Sequence, residues 1–156
     1  MELNPRSGHA YQALALVKLY QGRAEEALPL SKRSVELDPL AQLWNWGLAT
    51  IHIAVGDREG AIDRIRTLLE IDPNFWMAYM LRGSLQLAQG KPGNAIHSFE
   101  EAVRLSGGAP YALGLRASAL ATAGQREAAN RDLAVLLEAA SKGYVPGVTV
   151  AFPYVG

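Results

Sequence analysis

Four glycines, Gly22, Gly56, Gly90 and Gly124, stand 34 residues apart along the chain, and this single interval restricts the fold more than any local motif does. Ala27, Ala61, Ala95 and Ala129 keep the same spacing, as do Pro5, Pro39 and Pro73, each proline closing a similar phrase: Glu2-Leu3-Asn4-Pro5, Glu36-Leu37-Asp38-Pro39 and Glu70-Ile71-Asp72-Pro73. Apolar residues at helical spacing flank each glycine, as Tyr11, Leu14 and Ala15 do before Gly22 and Ala27, Leu30 and Val35 after it. The unit is therefore helix, tight turn, helix. Glycine suits the turn because it takes positive φ without a Cβ penalty, proline disfavours helix at the residue before it, and a small alanine lets paired helices approach.

The spacing predicts first helices over 9–21, 42–55, 76–89 and 110–123, and second helices over 24–37, 58–71, 92–105 and 126–141. The phrase that closes the third repeat, Leu105-Ser106-Gly107-Gly108, puts glycine where proline is expected, so a looser, slightly bent junction is predicted there.

With Gly8, Gln42, Trp76 and Pro110 as first positions, position 4 reads Tyr11, Asn45, Tyr79 and Leu113, position 7 reads Leu14, Leu48, Arg82 and Arg116, and position 8 reads Ala15, Ala49, Gly83 and Ala117. This pattern resembles the tetratricopeptide repeat family over nearly the whole chain. The family aromatic at position 4 is missing from the second and fourth repeats, which predicts weaker local packing there. The resemblance implies an all-α fold, a right-handed α-solenoid of four repeats at 8–41, 42–75, 76–109 and 110–143. Residues 1–7 match the end of a preceding repeat, and 144–156 fall in phase with a partial fifth. In wording and ending, including Gly143-Tyr144-Val145-Pro146, the chain is similar to arrays that follow a kinase, cyclase or winged-helix DNA-binding domain in bacterial regulators, so a piece of a larger regulatory protein is expected.

Such arrays bind polypeptides on their concave side, which the first helices line. The charges agree. The first helices carry only Lys18, Arg82 and Arg116 and no acid, whereas second helices hold mixed runs such as Arg23, Glu25, Glu26, Lys32, Arg33 and Glu36. The stripe at positions 2, 5, 9 and 12 reads His9, Gln12, Leu16 and Leu19, then Leu43, Trp46, Thr50 and Ile53, then Met77, Met80, Ser84 and Leu87, then Tyr111, Gly114, Ser118 and Ala121. A groove of this composition is expected to dock an apolar or amphipathic segment, centred on Trp46, Ile53, Met77 and Met80. The plainer expectation is that Met77, Met80 and Leu87 only fill space between repeats. The family's carboxylate clamp for chaperone tails is absent, since its places hold Gln12, Leu16, Gly47, Met77 and Leu81. Arg82 and Arg116, equivalent residues one repeat apart, are candidates for receiving an acidic group, against the plainer expectation that their stems cover apolar surface while their heads meet water or a carboxylate. The alternative to a binding scaffold is self-assembly, with apolar ends, including Val148, Val150, Phe152 and Val155, stacking copies into a homo-oligomer.

Other classes lack support. The 15 Lys and Arg balance 15 Asp and Glu in 156 residues, so no net field draws nucleic acid or anionic lipid. Cysteine is absent and the three histidines, His9, His52 and His97, lie far apart, so no metal or cofactor is expected. Ser84 and Ser118 have no nucleophile motif, and Gly90-Lys91-Pro92-Gly93 lacks the strand and the ending of a phosphate loop, so no enzyme is expected. No leader pattern opens the chain, and polar residues interrupt the uncharged stretch 39–56, so a cytoplasmic rather than membrane setting is expected.

Overall fold

The protein is described by a computed structural model over residues 7–143; the phrase Glu2-Leu3-Asn4-Pro5 and the fifth-repeat segment 144–156 lie outside the described residues. Eight α-helices follow one another among them: α1 (Gly8–Tyr20), α2 (Ala24–Leu37), α3 (Gln42–Ala54), α4 (Arg58–Ile71), α5 (Trp76–Ala88), α6 (Pro92–Leu105), α7 (Pro110–Thr122) and α8 (Arg126–Lys142). Each begins and ends within about a residue of the span that the repeat predicts.

The glycine turns are built alike. Gly22, Gly56, Gly90 and Gly124 have φ of 74°, 77°, 69° and 77°. In each turn the glycine N–H bonds a carbonyl three residues back, and the next residue reaches five back: Gly56 N to Ile53 O at 3.1 Å and Asp57 N to His52 O at 2.8 Å, for example. These are Schellman caps, which satisfy carbonyls that a helix end otherwise leaves without partners. The same device closes α6, where Gly107 and Gly108 have φ of 66° and 86° and Gly108 N meets Val103 O at 2.9 Å. The junction predicted from its missing proline to be loose thus has a fully capped helix end, and Ser106 Oγ accepts from Ala109 N at 3.1 Å.

The chain divides into two compact units, 1–75 and 76–156. In the first, α1 packs on α2, α3 on α4, and α2 and α1 on α3. Ala15, Ala27 and Ile51 form its fully buried centre, flanked by Leu19, Leu28 and Leu30. Asn45, which stands where the family aromatic is missing, is fully buried, and its Nδ2 donates to Pro39 O at 2.8 Å and Ala41 O at 3.1 Å. Hydrogen bonds thus tie the α2–α3 junction where a ring would have packed. In the second unit, α5 packs on α6, α7 on α8, and α6 and α5 on α7. Phe99 lies at its centre with Ala95, Ile96, Ala119, Leu120 and Ala129. Phe99 lies so close that a Cβ on Gly83 would fall 2.6 Å from its ring. The repeating alanines are 0%, 0%, 0% and 5% exposed, which shows why only small residues fit there.

No helix among the described residues is long and apolar enough to cross a membrane. The cap geometry gives a direct stability test. A Cβ at Gly56 would meet nothing within 4 Å, so Gly56→Ala is expected to lose about 1–2 kcal/mol through positive φ alone. Gly93→Ala, in the first turn of α6 and equally unobstructed, is expected to gain about 0.5–1 kcal/mol. Urea midpoints of both variants check the pair of signs.

Candidate functional site

The stripe drawn from positions 2, 5, 9 and 12 of the first helices does not present a uniform surface. Position 2 is open: His9 is exposed, Leu43 is 57% exposed and Tyr111 43% exposed, while Met77 is half-buried. The His9 ring stands edge-on to Trp44, with centroids 5.8 Å apart at 75°. Leu16, Trp46, Thr50, Ile53, Ser84, Leu87 and Ser118 are half-buried. Thr50 Oγ1 donates back to Trp46 O at 2.9 Å, and the Trp46 indole N–H is sealed with no partner among the described residues. Leu87 packs on the cluster around Phe99.

Position 5 corrects the expectation. Gln12 is 2% exposed and belongs to the interior: Ser31 Oγ and Ser34 Oγ approach its Oε1 at 2.9 and 2.8 Å. Its amide lies against Gly47 so closely that a Cβ there would sit 1.8 Å from Nε2. Met80 is 7% exposed and fills space between Ala102 and Ala112 beneath Trp76, Met77 and Tyr79, so it cannot receive a partner from outside. The plainer expectation holds for this methionine. A residue at position 5 meets the next first helix of its own unit, as Gln12 meets Gly47, and is covered by it. The sequence carried that signal in two small residues opposite Gln12, Ser31 and Ser34, and in the glycine at position 6 of the following repeat.

Large apolar residues that the stripe missed are more open than most of those within it. Val17 and Tyr20 on α1 are 50% and 83% exposed, and Leu40 before α3 is 73% exposed. Apolar residues surround α1 on every side, so some must face outward whatever the helix packs against.

The cations of the first helices all turn toward their own second helices. Lys18 Nζ meets Glu26 at 3.0 Å. Arg82 lies over the Tyr79 ring, 4.7 Å from its centroid, and donates to Ser98 Oγ at 3.1 Å. Arg116 binds Asp132 through two hydrogen bonds of 2.7 and 2.6 Å, and this carboxylate raises the arginine pKa further above its ordinary value. This geometry gives the joint anion site drawn from Arg82 and Arg116 no support: Arg116 already has its carboxylate, and Arg82 commits Nε to Ser98 within its own repeat. Buried ion pairs are costly to break by halves. Asp132→Ala is expected to destabilise by about 2–3 kcal/mol, whereas Arg116→Leu with Asp132→Leu, which copies Leu14 and Leu30 of the first repeat, is expected to recover most of the loss. Chemical denaturation of the two variants checks this. Among the described residues no group of three or more His, Asp or Glu is placed to hold a metal ion.

Comparison with solved structures places the fold. The crystal structure of MamA aligns with a TM-score of 0.72 at 20% identity, covering 89% of this chain and 81% of that one. TTC0263, a thermophilic tetratricopeptide repeat protein of Thermus thermophilus, aligns with a TM-score of 0.80 at 22% identity over 86% of this chain and 75% of that one. YrrB, described as a tetratricopeptide repeat protein with an unusual peptide-binding site, gives 0.63 at 20% identity over 86% and 70%. No curated protein matches the sequence. The tetratricopeptide repeat family model matches residues 13–74, 48–110 and 80–144 in overlapping stretches. With its helices, caps and alanine contacts in the same phase, the chain is an all-α solenoid of helical repeats and belongs to the tetratricopeptide repeat family.

Proposed function

We propose that the chain is a polypeptide-binding scaffold whose first-helix surfaces accept apolar or amphipathic segments. One observation carries this reading. Lys18, Arg82 and Arg116, the only Lys or Arg residues on α1, α3, α5 and α7, are all drawn toward partners other than the stripe, and these helices hold no Asp or Glu. What remains on the stripe is His9, Leu16, Leu43, Trp46, Thr50 and Ile53 in the first unit, and Met77, Ser84, Leu87, Tyr111 and Ser118 in the second. Such a surface gives up water readily to an apolar side chain and offers no competing charge. YrrB, which shares the fold, is a peptide binder by its own description, and this supports the same class of ligand here. The resemblance to arrays of bacterial regulators supports a cytoplasmic, regulatory setting.

Peptides selected from a random display library against the full chain are expected to be rich in large apolar residues. Leu43→Glu with Tyr111→Glu should weaken them about tenfold or more, and Ile62→Glu on α4 should leave them unchanged. Peptides indifferent to the first pair, or dominated by charge, would refute the reading.

Self-assembly is a second reading, supported by α8, where Val135 and Leu137 stay 52% and 47% exposed. The carboxy-terminal residues that would add to such an end lie outside the described residues. Light scattering across concentration separates the two: a scaffold for other chains is expected to keep one monomeric mass, whereas a mass that rises and falls back with Val135→Lys favours stacking.

A further inference from the structure

A second site lies among the helices that the scaffold reading leaves aside. In the first unit α2 and α4 each pack on α3 and have little contact with one another, which leaves an open cleft of about 410 Å³ between them with α3 at its base. Val35, Pro39 and Leu48 give it an apolar floor, and Lys32, Glu36, Asp63 and Arg64 stand around it.

The acids there are paired and the cations are not. Glu36 is held by Arg33 at 2.8 Å and Asp63 by Arg66 at 3.1 Å, each on its own helix. Lys32 forms no ion pair or hydrogen bond with another described residue, and Arg64 reaches only the neutral Asn45 Oδ1 at 3.4 Å. Two cations thus border an apolar cleft with no acid among the described residues in hydrogen-bonding reach, the acid that feels Lys32, Asp57, being already bonded to Gly60 and His52. Repetition of the sequence shows what such an acid does when present. Two periods further on, Leu48 and Arg64 become Arg116 and Asp132, a closed ion pair, while His52 becomes Leu120. The second unit neutralises itself at the place where the first does not.

His52 adds direction. Its side chain is 8% exposed and forms part of the cleft wall, and Nδ1 lies 2.8 Å from Asp57 Oδ2. The Gly60 amide, with His52 and Lys32 assisting, holds the Asp57 carboxyl below its ordinary pKa, which suits it to accept the hydrogen bond from His52 Nδ1. Nε2 has no partner among the described residues, and in the tautomer with the proton on Nδ1 it is an acceptor.

We propose that this cleft binds the free carboxy-terminus of a polypeptide that ends in an apolar residue. The last side chain rests on Val35, Pro39 and Leu48, the carboxylate takes the place between Lys32 and Arg64, and the last backbone N–H donates to His52 Nε2. Both cations act as charge-assisted donors, Arg64 from a half-buried position and Lys32 from the exposed rim.

N-acetyl-leucine is the probe, with N-acetyl-leucinamide lacking the carboxylate and acetate lacking the side chain. Titrated into the full chain and followed by NMR, N-acetyl-leucine alone is expected to move the Gly60 amide and the His52 ring protons saturably, leaving the Ala128 amide still. Lys32→Met with Arg64→Gln, which keeps a donor toward Asn45, is expected to weaken it about tenfold or more. Should that pair unfold the chain, Lys32→Met alone, at an exposed position, is expected to weaken it several-fold. Equal shifts with acetate or with the amide, no saturable shift at all, or undiminished binding by the charge variants would each overturn the proposal.

Discussion

The positive-φ glycine that ends each first helix is the constraint on which the other features rest. It turns the chain within two residues, satisfies the last carbonyls through the backbone, and sends the second helix back along the first. Only after that reversal does the alanine at position 20 of each repeat meet its partner helix, and only then do side chains sixteen residues apart, such as Arg116 and Asp132, come within reach. A residue with a Cβ can be forced into this backbone, but at a cost comparable to a fair part of one repeat's stability.

That reversal also decides where charge goes. A cation at position 7 of a first helix faces its own second helix, so Arg82 and Arg116 engage their donors internally, and position 11 does the same for His52 through Asp57. The first-helix surface becomes free of charge as a result of helix pairing, beyond what its composition alone would give. The same rule explains the difference between the units. Where positions 7 and 23 hold Arg and Asp, the interior closes on itself; where they hold Leu48 and Arg64, a cation is left at the edge of an apolar cleft.

Much of the fold was legible because glycine, alanine and proline act through backbone geometry that repeats with the chain. The site was less so. Residues at positions 2 and 5 share one helical stripe, yet Leu43 is open while Gln12 and Met80 are covered by neighbouring helices. Periodicity fixes which way a side chain leaves its own helix, but the depth at which the next helix crosses depends on small residues on that helix, such as Gly47 for Gln12 and Ala112 for Met80. Asn45 was legible as a missing aromatic, but its hydrogen bonds to the α2–α3 junction depend on carbonyls that the turn exposes. The cleft between α2 and α4 was invisible for a related reason: its residues come from three helices and the turn at Pro39 and share no sequence motif.

Which surface touches a partner is the question on which the binding role turns. Cross-saturation from a bound apolar peptide to methyl-labelled protein measures this directly. It is expected to attenuate the Leu43 and Ile53 methyls of α3 strongly and to leave Leu28 of α2 and Ile62 of α4 unaffected. Attenuation confined to the second helices, with Leu43 and Ile53 untouched, would contradict the claim that helix pairing leaves the first-helix face as the binding surface.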